Sequence, residues 1–278
     1  MNNVVIAGIG MTSVEEHWDI SLRDLSLRAI QEAQADSGGL QPQALFVGNM
    51  LASQLSHQAH LGALIADYAG LKGIEAFTLE AAGASGGAAL RAGYLAVASE
   101  QVDVAIVLGV EKFSDTIGSS IESALATSED NDFEAVPGLT NNAQAAILMR
   151  RYLYEYTVER SAFAGFPISA HSNGAGNYRA IYQKAIRPET YASASIVSDP
   201  LNLFDVAPYA DGAAWRSTSF RIQRTEPVPL ESLTVLPDGS LLGNAYSYNG
   251  FFRYTPGTKT CEYFGKSGPS RVKTCLLD

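Results

Sequence analysis

The first 213 residues of the chain contain no cysteine. A mechanism that depends on a thiolate therefore has no side chain to use in that segment. The two cysteines, Cys261 and Cys275, lie 14 positions apart without a Cys-x-x-Cys pair or a neighbouring histidine. This spacing is not typical of a zinc site, so we predict no metal and interpret the two residues as unrelated thiols.

Long apolar runs and positive charge are also scarce. No window approaches the roughly 20 apolar residues that a transmembrane helix needs. The first residues lack the basic start and apolar stretch of a secretory signal, so we expect a cytoplasmic protein without a membrane span. Residues 1–213 hold 11 Lys/Arg against 24 Asp/Glu, whereas residues 214–278 hold 8 against 5. This acidic main body disfavours binding to a phosphate backbone, so we expect no nucleic-acid partner.

Apolar, β-branched runs alternate with helical periodicity over the first 110 residues. The predicted strands cover residues 4–11, 44–48, 75–80 and 102–110, and the predicted helices cover 20–35, 60–68 and 84–99. This alternation predicts an α/β fold whose sheet is covered by helices on both faces.

The segment from about 114 to 198 has a different character. Residues 119–131 are polar and acidic and predict a loop, whereas 140–154 and 161–172 have helical spacing. We expect an excursion folded over the sheet, where substrate-lining loops commonly lie. After the excursion, we predict that the chain returns to the sheet over residues 201–214.

After Ala214, short strands and turn residues alternate closely. Asn249-Gly250 between two aromatic runs is a strong hairpin signal. We therefore predict an antiparallel β-meander over 214–278 and a domain boundary between 213 and 214.

Gly83 occupies the predicted junction between the third strand and the third helix. A side chain there would lie at a helix N-terminus, where backbone N–H groups and the helix dipole stabilise an anion. An enzyme places a nucleophilic thiolate in such a position, but glycine has no side chain. Ser85 and Gly86 would let a ligand approach the same N–H groups, which could cradle a carbonyl oxygen. Packing of a small-residue helix against another helix explains the pattern equally well.

Two glycines, Gly8 and Gly10, follow the first strand. A dinucleotide-binding fingerprint needs a third glycine at position 13, which is Ser13. We interpret the pair as a site of tight strand-to-helix packing and predict no nicotinamide cofactor.

His171, one of four histidines, stands near Asn173 and Asn177 in a glycine-rich stretch that predicts a turn. Such a turn could present imidazole and amide groups to a substrate, although a lone histidine in a loop is more often a surface or capping residue. Glu111-Lys112 ends the fourth strand and is interpreted as a solvated ion pair.

Several of these motifs occur in the order found in thiolases, and residues 3–214 resemble the sterol-carrier-protein-type and archaeal acetyl-CoA acetyltransferase branch of that family. The motifs are VIAGIGMT at 5–12, EAAGASGGAAL at 80–90, GVEK at 109–112, HSNGAGN at 171–177 and DVAPYADGAA at 205–214. The His171 motif matches imperfectly, because Gly174 replaces the usual alanine and Tyr178 the usual proline.

The resemblance implies the N-terminal half of a doubled α/β fold, with a mixed sheet, covering helices and a helical loop excursion. It implies an acyl-CoA substrate, in which coenzyme A is part of the substrate and no separate cofactor is needed. It also implies that Gly83 replaces the family's nucleophilic cysteine, that Ser85, Gly86, Asn173 and Asn177 bind substrate, and that dimers form through residues 75–82.

The resemblance stops at Ala214, before the histidine and second cysteine that thiolases carry in their other half. The tail is instead similar to a β-propeller blade of the gluconolactonase-like type. Three hypotheses follow. The protein handles acyl-CoA but is inactive as a thiolase by itself. Alternatively, it is a cysteine-less aldolase subunit that cleaves β-hydroxyacyl-CoA with a complementing or acyl-CoA-binding partner, with His171 as the candidate catalytic residue. Thirdly, it is a truncated or chimeric interaction protein that associates through an uncovered face of helix 84–99.

Overall fold

A computed structural model describes residues 4–116, 118–219, 230–235, 238, 241–245, 250–255 and 260–266. The chain divides into two compact units, Met1–Arg221 and Ile222–Asp278. The boundary predicted between 213 and 214 lies inside a strand of the first unit, Gly212–Ser219.

The first unit is built on a mixed five-stranded sheet. Its strands are β1 (Val5–Met11), β2 (Ala44–Gly48), β3 (Glu75–Leu79), β4 (Val104–Glu111) and β7 (Gly212–Ser219), in the order β1-β7-β4-β2-β3. β2 is parallel to β3 and β4, whereas β7 is antiparallel to β1 and β4. Two short strands, β5 (Ile196–Ser198) and β6 (Leu201–Asn202), pair separately. The predicted fold class and the four predicted strands are confirmed.

Helices cover both faces of this sheet. They are α1 (Leu22–Asp36), α2 (Ala52–Leu55), α3 (Leu61–Tyr68) and α4 (Ser85–Ala98), of which only α2 was not predicted. The alternation of side chains along β2 decides which helix meets which face. Leu45 and Val47 pack with α1 and α3, whereas Ala44 and Phe46 pack with α4.

The glycines of β1 allow α1 to approach closely. A Cβ on Gly10 would overlap the carbonyl oxygen of Ala29, and one on Gly8 would overlap that of Ala33. The interpretation of this pair as a packing feature is confirmed.

The excursion over the sheet is mainly helical. It contains α5 (Ser119–Leu125), α6 (Asn141–Tyr156), α7 (Gly165–Ala175) and α8 (Pro188–Ala192), with shorter turns at 126–128, 131–135 and 160–163. The prediction of a loop over 119–131 is wrong for α5. Despite its polar composition, α5 buries Ile121 and Ala124 against Leu51 and Leu55, and this packing overrides local propensity.

The second unit contains an antiparallel meander, although residues 214–219, which the prediction assigned to that meander, belong to β7 in the first sheet. Its strands are β8 (Leu230–Val235), β9 (Leu241–Ala245), β10 (Gly250–Thr255) and β11 (Thr260–Lys266), each paired with the next. Asn249 and Cys275 lie outside the described residues, and Cys261 lies on β11. Among the helices that the structure describes, none has the length and apolar character that crossing a bilayer requires.

Candidate active site

A short turn carries Gly83 from β3 into α4. The turn is a 3-10 helix over Ala82–Ala84, and α4 begins at the next residue, Ser85. The Ser85 hydroxyl donates to the carbonyl oxygen of Ala82 at 2.7 Å and accepts from the N–H of Ala81 at 3.0 Å. Ala82 has a φ of 48°, a left-handed conformation that costs a non-glycine residue about 1 kcal/mol or more. The two hydrogen bonds of Ser85 therefore brace a strained backbone.

Position 83 itself is exposed and has room for a side chain. A Cβ on Gly83 would meet no atom within 4 Å, and the same is true of Gly86 and Gly87. A larger residue at position 83 would therefore project into open space without disturbing the turn.

A cavity of about 520 Å³ opens beside this turn. Its walls come from the carboxyl ends of β2 and β4, from the first turn of α4 and from the start of β7. Its lining includes Asn49, Gly83, Ser85, Gly86, Glu111 and Asp211. β2 ends so close to α4 that a Cβ on Gly48 would lie 2.5 Å from the carbonyl oxygen of Ser85. The cavity thus lies at the sheet edge where open α/β folds bind ligands.

Glu111 forms a half-buried part of the cavity wall. Its carboxylate accepts from the backbone N–H groups of Met50 at 3.2 Å and Leu51 at 3.1 Å, and from Nδ2 of Asn49 at 2.9 Å. Burial raises the pKa of Glu111, although the hydrogen bonds from Leu51, Met50 and Asn49 oppose that effect. Glu111 therefore holds the segment after β2 in place.

Lys112 points to the opposite side, into a buried polar network. Its side chain is 1% exposed, and Nζ donates to the carbonyl oxygen of His17 at 2.8 Å and to the hydroxyl of Ser114 at 2.6 Å. Asp211 lies 3.4 Å from Nζ. The interpretation of Glu111-Lys112 as a solvated ion pair is wrong, because Lys112 is buried, Glu111 is half-buried and each side chain binds other partners.

Asp211 is the acceptor at the centre of this network. Its oxygens accept from the N–H groups of His17, Phe113 and Ser114 at 2.8, 2.6 and 2.9 Å, and from the hydroxyl of Ser114 at 2.5 Å. Burial raises the pKa of Asp211, but these hydrogen bonds outweigh burial and leave the pKa below its usual range. Asp211 therefore joins three chain segments at the wall of the cavity.

The structure places His171, Asn173 and Asn177 outside the set of described residues that line this cavity. His171 and Asn173 lie on α7, which continues to Ala175, so the predicted turn begins only at Gly176. His171 donates from Nδ1 to the carbonyl oxygen of Lys184 at 3.1 Å and stacks on Tyr182. Oδ1 of Asn177 accepts from the N–H of Arg179 at 3.0 Å. Of the six predicted site positions, Gly83, Ser85 and Gly86 are brought together.

Sequence reasoning missed Asn49 and Asp211 and misread Glu111. One signal was present for all three, because each is a polar residue directly beside a run of apolar or small residues that forms a strand. Across the described ranges, no group of three or more His, Cys, Asp or Glu side chains is arranged to hold a metal ion.

The profile of the thiolase N-terminal domain matches residues 4–199 of the chain. The chain belongs to the thiolase family. It is 40% identical over 216 residues to the acetyl-CoA acetyltransferase of Methanothermobacter thermautotrophicus. This match covers 77% of this chain and 56% of that protein. The chain thus spans about half the length of the curated thiolase relatives that it matches.

Solved structures share the same fold. The Ltp2-ChsH2(DUF35) aldolase superposes with a TM-score of 0.63 at 24% identity, over 88% of this chain and 62% of that one. The acetyl-CoA acetyltransferase of Syntrophomonas wolfei superposes with a TM-score of 0.63 at 15% identity, over 79% of this chain and 65% of that one. Both likenesses support the thiolase fold of the first unit.

Proposed function

We propose that this thiolase-family protein binds acyl-CoA thioesters in the cavity beside Gly83 and has no thiolase activity by itself. The observation that carries the proposal is the braced turn at the start of α4. The first N–H groups of a helix have no carbonyl partner within that helix, so they favour a polarised carbonyl oxygen or an anion. Gly83 and Gly86 leave the space in front of this helix end open.

The absence of a thiol is the reason that we propose acyl-CoA binding without thiolase turnover. Residues 1–221 contain no cysteine, so an acyl-enzyme thioester has no sulfur on which to form in this unit. The carboxylates that line the cavity, Glu111 and Asp211, already accept hydrogen bonds from the surrounding backbone. Their engagement supports a role in shaping the cavity rather than in transferring protons.

Two neighbouring glycines give a matched test of this binding site. Both have open space at Cβ and lie in the first turn of α4, but only Gly86 lines the cavity. We expect acetyl-CoA to raise the melting temperature of the wild type, because ligand binding stabilises the folded state by mass action. Gly86→Leu should abolish this shift, whereas Gly87→Leu should retain it. An unchanged melting temperature of the wild type at saturating acetyl-CoA would refute the proposal.

A second candidate is an aldolase subunit. The structural neighbour named as an aldolase contains two named components, Ltp2 and ChsH2, which motivates a partnered reaction for this chain. In such a reaction the β-hydroxyl of a β-hydroxyacyl-CoA loses its proton and becomes a carbonyl. The bond between the α and β carbons breaks, and the α carbon takes up a proton. No covalent intermediate is needed, so this chemistry is compatible with glycine at position 83.

The aldolase candidate is tested by incubating the full chain with a β-hydroxyacyl-CoA, alone and with a small acyl-CoA-binding subunit. Release of an aldehyde or ketone together with a shortened acyl-CoA is the expected product pattern. Absence of both products in both mixtures would leave the binding function alone.

We further propose association with another subunit. β3 has a neighbour on only one side in the described sheet, and Phe77 on it is 51% exposed, which suits a homodimer formed through this strand. Leu90, Tyr94 and Leu95 form a half-exposed apolar face on α4, which suits a complementing subunit.

A further inference from the structure

A second, larger cavity lies within the helical excursion. It has a volume of about 660 Å³, within the range of small-molecule sites in proteins. One wall is a stripe of α6, in which residues 145, 148, 149 and 152 follow helical spacing. The opposite wall comes from residues 166, 167, 170 and 171 of α7, and residues 201 and 204–208 close the end. Three separate elements therefore enclose one concave space.

The lining of this cavity is almost entirely apolar. Met149, Pro167 and Leu201 are buried and form its floor. At the rim, Leu148 and Phe166 are 72% and 74% exposed, so large apolar side chains surround the opening. Tyr152 and Phe163 meet edge to face with ring centroids 5.6 Å apart and continue the aromatic lining. A ligand with an extended apolar part would bury this surface and gain the hydrophobic contribution.

Two polar residues line the cavity, and only one of them is placed to meet a ligand. The Asp205 carboxylate accepts from the Tyr191 hydroxyl at 3.0 Å and from the N–H of Asn202 at 2.8 Å, so it is engaged by its own loop. His171 is held by the bond from Nδ1 to Lys184 and by edge-to-face contact with Phe204 at 5.3 Å. With Nδ1 donating, Nε2 is the ring nitrogen left for a ligand. The cavity thus suits a molecule that is apolar over most of its length.

One chain segment connects this cavity to the one beside Gly83. Residues 206–208 line the apolar cavity, and residues 210–214 line the cavity of the turn. Helix α6 also joins the two cavities: Ala145 lines the apolar cavity, and Asn141 at the start of the same helix lines the cavity beside Gly83. The apolar cavity therefore adjoins the site of a thioester bound at Gly83, because α6 and the segment 206–214 each line both cavities.

We propose that the cavity between α6 and α7 binds the hydrocarbon part of a medium- or long-chain acyl group. This inference deepens the proposed function by naming the acyl class, and it rests on that function only for the thioester end of the substrate. His171 then contributes to ligand binding in the apolar cavity, away from the turn at Gly83.

Two matched pairs of substitutions test the proposal by calorimetric titration of the full chain with decanoate. Leu148 and Ile147 are both exposed apolar residues of α6, but only Leu148 lines the cavity. Leu148→Ser should weaken decanoate binding about tenfold, and Ile147→Ser should change it by less than about twofold. On α7, Ala170→Phe should fill the cavity and abolish binding, whereas Ser169→Phe should not.

Parallel titrations with acetyl-CoA and decanoyl-CoA separate this proposal from the proposed function. Tighter binding of decanoyl-CoA than of acetyl-CoA, lost in Ala170→Phe, is the result that we expect. Failure of the wild type to bind decanoate saturably, or equal losses within each pair, would overturn the apolar site while leaving acetyl-CoA binding intact. Decanoate binding without any acetyl-CoA binding would instead uphold this site and refute the Gly83 site.

Discussion

Arg179 and Glu32 form an ion pair at the edge of the sheet, with Nη2 of Arg179 2.6 Å from Oε1 of Glu32. Both side chains also bind the backbone of Met11, the last residue of β1. Oε2 of Glu32 accepts from the Met11 N–H at 2.7 Å, and Arg179 donates to the Met11 carbonyl oxygen. The pair therefore fastens the helical excursion to β1 and satisfies a strand edge that would otherwise be open to pairing.

This arrangement predicts an acid-sensitive contribution to stability. The hydrogen bond from Arg179, followed by that from Met11, lowers the pKa of Glu32 below 4.5, its ordinary value, against a smaller opposing effect of burial. Because the folded pKa is the lower one, the contribution is present above the unfolded value and is lost as the pH falls through the folded value. Since Glu32 is partly exposed, Glu32→Gln should cost at most about 1 kcal/mol at neutral pH.

Urea unfolding of the wild type and Glu32→Gln across acidic and neutral pH measures this effect. The difference between the two proteins should shrink as the pH falls below about 4. Glu155→Gln, which removes the exposed pair with Arg151, serves as the control and should be nearly neutral throughout. A stability difference for Glu32→Gln that is independent of pH would contradict the assignment.

Removal of the Asp211 carboxylate should be far more damaging. Asp211→Ala would remove the buried carboxylate beside the Lys112 ammonium group and would also remove hydrogen bonds from His17, Phe113 and Ser114. The expected cost is about 3–5 kcal/mol in the free energy of unfolding, measured in urea. Asp115, whose side chain is 46% exposed and 3.0 Å from the same lysine, provides the control. If Asp115→Ala destabilised the protein as much as Asp211→Ala, Asp211 would not be the central acceptor of the buried network.

Restoring a thiol at position 83 should leave the fold intact without restoring acyl transfer. Gly83→Cys places the new side chain in open space, so we expect little change in melting temperature. A thiol-specific reagent should titrate one additional, accessible cysteine relative to the wild type. We expect no thiolysis of a 3-ketoacyl-CoA, because the carboxylates that line the cavity already accept hydrogen bonds from the backbone and His171 lies in another cavity. Turnover by this single variant would show that the cavity already contains the cooperating groups.

The two edges of the sheet should respond differently to substitution. Phe77 on β3 and Ile9 on β1 are exposed to similar extents, 51% and 54%. The edge of β1 is closed because the Ile9 N–H donates to Asp36 at 2.8 Å and the Met11 N–H donates to Glu32. Light scattering should therefore show a dimer that Phe77→Ser dissociates and Ile9→Ser does not. A monomeric wild type, or equal effects of the two changes, would count against pairing through β3.

The strands and helices of the sheet could be predicted because their apolar periodicity directly reflects burial. Residues 44–48 are apolar and central, and the structure buries all five of them. The glycines at 8 and 10 were also interpretable, because close helix packing explains two glycines better than a dinucleotide site, which needs a third. α5 could not be predicted, because its helix depends on contacts with α2, which is distant in sequence.

The candidate site was only partly predictable, for a similar reason. Gly83, Ser85 and Gly86 are neighbours in sequence, so one local motif located them. Asp211 acts through groups almost 100 or more residues away, and its position beside a strand does not reveal which groups those are. His171 was expected to serve the substrate from a turn, but α7 and the contact with Lys184 place it in another cavity.

The bracing of the turn by Ser85 has a consequence for protein engineering. Ser85 binds Ala81 and Ala82 but makes no demand on the residue at position 83, where any added side chain finds open space. The backbone geometry that favours an anion is therefore independent of the group that would exploit it. Position 83 is a natural attachment point for a synthetic nucleophile or a spectroscopic label, held at a helix end by a frame that the substitution leaves untouched.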